Sequence, residues 1–150
     1  MRRNDRWTTH ERGQSLVELA ISLTVILLLL TGAVEVGLAL FQYVSMRDAA
    51  QEGALYGSLN PDDVDNIKAR AQAAAQDVLT LDVADIEVAY SDPSLVPQCE
   101  GLTDGVPHAL TVTITFAHPV TMPLIGAWLG DSIDLRAGVT DTILQPRCEP

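Results

Sequence analysis

Two carboxylates, Glu18 and Glu35, are the only charges in the stretch Leu16–Val44. An acid in apolar surroundings is protonated, paired or placed where a positive charge can reach it. Elsewhere the residue types that do chemistry are scattered. His10, His108 and His118 lie far apart, and no phosphate-binding Gly loop, Cys-x-x-Cys or His-Glu-x-x-His helix occurs. Asp62, Asp63 and Asp65 cluster, but without the Gly turn and distal Glu of a calcium loop. Acids at the start of a helix account for them better. No serine or cysteine has the neighbours that would activate a nucleophile. The sequence therefore points away from an enzyme, and from any metal or cofactor.

Glu18 lies at the start of the apolar stretch, where an acid in a first helical turn favours the positive end of the helix dipole. Glu35 lies about 25 Å further on at the helical rise of 1.5 Å per residue. A carboxylate at that depth costs on the order of 2.5–3.5 kcal/mol, so it is expected to be protonated or paired. No Lys or Arg occurs between Glu18 and Met46, which makes a partner on another chain the default expectation. Ala33 and Gly37 form a small-x-x-x-small pair nearby, and Gly32 adds a notch, a pattern that suits close helix–helix approach.

The segment that must position these acids is an apolar bar. Leu19–Val34 carries no charge and Val36–Met46 continues it, comfortably longer than the roughly 20 helical residues that cross a bilayer. Phe41 and Tyr43 stand at its far end, where aromatic rings favour the membrane–water interface. Charge is segregated around the bar. Arg2, Arg3, Arg6 and Arg12 outweigh Asp5 and Glu11 before it, whereas five basic residues face sixteen acidic ones from Ser45 to Pro150. The formal net charge is −11, and the scarcity of clustered Lys and Arg excludes a nucleic-acid binder. The basic end should stay in the cytoplasm and the acidic end cross the membrane. A cleaved secretory signal is the competing account, with Leu19–Leu30 as its apolar region and Thr31 and Ala33 before the cut. The apolar stretch continues well beyond that site.

Gly13, followed by Gln14 and then Glu18, gives a G-x-x-x-x-E pattern after a short basic leader. This opening resembles the processing site of type IV prepilins, cut after the Gly by a prepilin peptidase. The runs Arg12–Ile21 (RGQSLVELAI), Gly32–Gly37 (GAVEVG) and Arg47–Gly57 (RDAAQEGALYG) together resemble TadE-like proteins. These are the minor pilins or pseudopilins of tight-adherence (Flp-type) pili. The resemblance implies cleavage that leaves Gln14 as first residue, with Glu18 setting register against an α-amine of its own or a neighbouring chain. It also implies a place in the cytoplasmic membrane or in a surface filament. The implied partners are the lipid bilayer, other pilus or pseudopilin subunits, the assembly platform and prepilin peptidase, with self-association possible.

The expected architecture is α+β and pilin-like: a leader over 1–13, a long helix over 14–58 that crosses the membrane at about 16–44, and an extracytoplasmic domain over 61–150. Ser45–Ser58 has no proline and should prolong the helix. Asn60-Pro61-Asp62-Asp63 reads as a break and restart. Val64, Ile67, Ala71, Ala74 and Val78 then recur at helical spacing over about four turns. Alternation predicts strands at Asp85–Tyr90, Ala109–Ala117 and Ser132–Ile143, paired as an antiparallel sheet with one face on the helix. Pro119–Gly130 (PVTMPLIGAWLG) is apolar for a loop, and is expected to be a lid on the core or else a contact with membrane or neighbour. Alternating strand directions would bring Cys99 and Cys148 to one sheet edge, within reach of a disulfide in an oxidising compartment.

Overall fold

The structure, a computed structural model, describes residues 8–91, 108–122, 126–127 and 130–144, with side chains from Gly13 onward. It divides into two compact units, Met1–Gly37 and Leu38–Pro150. The fold is α+β. Cys99 and Cys148 lie outside the described residues, as does most of the apolar part of the loop at 123–125 and 128–129.

The first unit is built on helix α1, which runs Thr8–Leu59. The first proline of the chain is Pro61, so nothing before it forces a break. The helix starts earlier than the expected Gln14, because Gly13 inside a helix costs only about 1 kcal/mol and does not interrupt it. Its large apolar side chains from Leu16 to Val36 are exposed. The hydroxyls of Thr24 and Thr31 donate to the carbonyls of Ala20 and Leu27 at 2.8 and 2.7 Å. Helical geometry satisfies the backbone, and these bonds satisfy the side chains, as a lipid environment demands.

In the second unit α1 changes from an apolar rod to a core element. Met46, Ala49, Ala50 and Ala54 are fully buried, and Gly53, Gly57 and Ser58 share their face. The spacing of three and four residues puts them on one side of the helix. Two of the glycines are small because the neighbours are close. A Cβ on Gly53 would meet Ala71 Cβ at 3.0 Å and the carbonyl oxygen of Ile67 at 3.2 Å.

Helix α2, Val64–Ala75, is capped by Asp63, whose side chain accepts from the Asn66 backbone. It has about three turns rather than four. Its buried face is Ile67, Ala71 and Ala75, continued by Leu79 and Leu81, whereas Ala74 and Val78 are exposed. The helix stops at Ala75 and the chain turns inward, so the inward positions shift from the pure helical count. A 3₁₀ turn at Val83–Asp85, closed by a reciprocal Asp82–Asp85 capping box, takes Asp85 out of the strand that follows.

Strands β1 (Ile86–Tyr90), β2 (Ala109–Pro119) and β3 (Ser132–Thr142) form an antiparallel sheet in that order. Ile86 pairs with Ile114, and Ala109 and Pro119 pair with Thr142 and Ser132. Leu110, Val112 and Ile114 are fully buried on the inner face, with Ala137 of β3 beside them and Ile133, Leu135 and Val139 half-buried. The outer face is polar. Thr111 and Thr140 hydroxyls bond at 2.8 Å, and Arg136 reaches over β2 to Glu87 at 3.5 Å. Exposed pairs of this kind contribute at most about 1 kcal/mol. The alternation read from the sequence is the one the sheet uses.

Candidate functional site

The residues most able to act lie along α1. Gly13, Gln14 and Glu18 are exposed on its first turns, and nothing within 4 Å would meet a Cβ at Gly13. Continuous helix carries the chain through this point. The backbone amides and carbonyls around Gly13 are thus in helical hydrogen bonding.

Glu35 departs from its surroundings. It is 4 % exposed between Val34 and Val36, which are 60 % and 68 % exposed, and it is not without a partner. The small residues around it do not form one patch with it. At about 100° per residue, Ala33 and Gly37 lie some 160° round the helix from Glu35, whereas Gly32 is within about 60° of it. Burial follows the same division: Gly32 is half-buried and Ala33 and Gly37 are exposed. The notch of Ala33 and Gly37 is open, with nothing within 4 Å of a Cβ at Gly37. At helical spacing, Glu35 and the notch of Ala33 and Gly37 therefore lie on two separate sides of the helix. One neighbouring helix can use the notch without touching the carboxylate.

Where the apolar bar ends, the helix meets the sheet. His118, near the end of β2, is 3 % exposed, and its Nδ1 lies 2.6 Å from Gln42 Oε1. Sequence reasoning placed His118 at a strand end with no role. Gln42, a polar residue amid Leu40, Phe41 and Tyr43, was the available signal that something polar faced this turn. The small-residue stripe from Met46 to Ser58 was also read only as more helix. Its heptad-like spacing was the sign of a packed face.

At the opposite end of the sheet, the α1–α2 connection is pinned by tyrosines. Tyr56 donates to Asp63 Oδ2 at 3.0 Å, and the Arg70 guanidinium sits 5.3 Å above its ring. Tyr90 donates to the Pro61 carbonyl. Burial, and then the negative charge of Asp62, push the Tyr90 phenol above its ordinary value. Leu144 N donates to Ser58 O at 2.8 Å, satisfying one of the last carbonyls of α1.

Taken together, these elements are a long apolar helix and a packed domain. α1 is one helix long and apolar enough to cross a membrane. No match is found among curated proteins or among solved structures. A family model does match, that of the TadE-like protein family, over residues 13–55. The matched segment opens on Gly13 and Glu18, includes Glu35, and ends within the stripe that packs on the sheet. Over residues 13–55, then, this chain is similar to TadE-like proteins.

Proposed function

We propose that the chain is a membrane-anchored minor pilin or pseudopilin of a tight-adherence pilus, acting as a structural subunit or assembly factor. The TadE-like match over residues 13–55 carries this reading and supports an association with such a pilus. The exposed apolar run of α1 from Leu16 to Val44 supports a membrane anchor. In this reading the basic leader stays in the cytoplasm, the acidic domain lies outside, and prepilin peptidase cuts between Gly13 and Gln14. Glu18 then sits near a free α-amine. Its work is mechanical: the helix holds register among neighbours, and the sheet domain offers contacts. Cys99 and Cys148 pair in this compartment, a reading supported by the strand order, which places the end of β1, the start of β2 and the end of β3 together.

N-terminal sequencing of the native protein tests the proposal. Gln14 as first residue is expected. Met1 or Arg2 would instead indicate a plain anchored binding module, and a start near Val34 a secreted protein. Replacing Glu35 with Gln or Leu should lower co-purification of other pilus subunits, and unchanged recovery would count against its role in assembly.

A further inference from the structure

The position of the His118–Gln42 pair has a consequence for where the sheet lies. On α1 the exposed apolar side chains continue through Leu38, Leu40, Phe41, Tyr43 and Val44, and the first charges beyond them are Arg47 and Asp48. Gln42 lies on the apolar side of that boundary, about 7.5 Å along the helix before Arg47. The interfacial layer on each side of a bilayer is about 5–8 Å thick, from a total of roughly 40–45 Å around a 30 Å core. A side chain held to Gln42 is therefore held at interfacial depth, and His118 is so held.

The surrounding residues suit that depth. His118 is buried with its Nδ1 bonded, so the polar ring is not presented to lipid. Pro119 and its partner Ser132 are exposed at the same end of the β2–β3 ladder. The sequence from Pro119 to Gly130 contains no charged residue, and Val120 and Met122 are only half-buried. Phe41 and Tyr43 flank Gln42 on the helix with exposed rings, as interfacial aromatics do. Asp131 and Asp134 are exposed close by, and no Lys or Arg lies between Pro119 and Leu135, so attraction to anionic headgroups does not hold this end down. Apolar contact and the tether of α1 do.

We infer that the end of the sheet carrying His118, Pro119 and Ser132 is seated in the headgroup layer of the membrane that α1 crosses. Lipid, rather than protein, covers it. This rests on the anchoring of α1 proposed above, and it adds a second, non-helical point of contact. Such a contact fixes the height of the domain.

The test is photo-crosslinking of the full chain in phosphatidylcholine vesicles. A benzophenone-bearing residue is placed singly at Pro119, Ser132, Leu28 and Thr142, all exposed positions. Lipid adducts are identified by mass. Leu28 reports the membrane span and Thr142 the opposite end of the ladder. Lipid adducts at Pro119 and Ser132, with their loss at Thr142, support the inference. Adducts at Leu28 with none at either base position overturn it while the anchor stands. Protein–protein adducts at the base in place of lipid adducts also overturn it. Absence of lipid adducts at Leu28 and at the base would remove the anchor reading and this inference together.

Discussion

A Cβ placed on Gly57 would stand 2.7 Å from Leu110 Cδ2, with Ile67 Cδ1 at 2.9 Å. Helix α1, helix α2 and the sheet meet at this one position, and the meeting is possible because the residue has no side chain.

Gly57→Ala follows directly. Leu110 and Ile67 are both fully buried, so neither can swing clear without moving others. Overpacking costs about 1–3 kcal/mol, against about 1 kcal/mol gained by replacing Gly in a helix. The net effect expected is a loss of stability, read as a fall of several degrees in the thermal midpoint of the detergent-solubilised chain. Gly37→Ala meets nothing within 4 Å and should leave the midpoint unchanged or higher. Equal behaviour of the two variants would mean that the packing at Gly57 is looser than described.

Gln42→Leu removes the acceptor 2.6 Å from His118 Nδ1 and leaves a buried ring nitrogen with a lost bond. The expected cost is about 1–3 kcal/mol. Gln42→Glu keeps an acceptor and should retain most of the stability. Chemical denaturation of the three forms, compared at one pH, would show the order.

Asp63 caps α2 through Asn66 and also accepts the Tyr56 hydroxyl. Asp63→Ala should therefore cost more than an ordinary cap loss of about 1 kcal/mol, while Asp63→Asn keeps the acceptor and costs less. If Tyr56→Phe in the Asp63→Ala background adds nothing further, the two residues act as one unit; additive losses would show separate roles.

Tyr90 predicts alkaline behaviour. Its phenol is raised by burial and by Asp62, so the folded form holds the proton more tightly than the unfolded form. The stability linked to it is complete below the unfolded phenol's pKa of about 10 and is lost as pH rises through the folded value. Unfolding measured against pH should show this alkaline decline, and Tyr90→Phe should remove part of it. Phenolate absorbance should show Tyr90 titrating later in the folded chain than in denaturant.

Much of this architecture was legible before the structure. Period-two alternation at Leu110, Val112 and Ile114 against Thr111, Thr113 and Thr115 can satisfy only a sheet with one dry face, and so it did. The long apolar helix was equally plain, since nothing before Pro61 breaks it. The limits of α2 were not. Ala74 and Val78 fit the helical count, but the chain turns after Ala75 and Leu79 and Leu81 enter the core from outside regular helix. Local periodicity cannot see a turn set by where the sheet stands. The stripe Met46–Ser58 was under-read for a related reason: Ala and Gly carry little hydrophobic signal, and their value is the closeness they allow.

The small-residue face of α1 also constrains the order in which the chain can be completed. Met46, Ala49, Ala50 and Ala54 emerge from the ribosome before the strand that covers them, and Gly57 finds Leu110 only after the intervening helix and first strand have been made. Contacts this distant in sequence form late and slowly. Until β2 arrives, the half of α1 beyond the apolar run has an unfinished face. A soluble form of the domain must consequently start at or before Ser45. A cut placed after Leu59, at the natural-looking break before Pro61, would discard one wall of the core and uncover Leu110 and Val112 where Gly57 and Gly53 meet them.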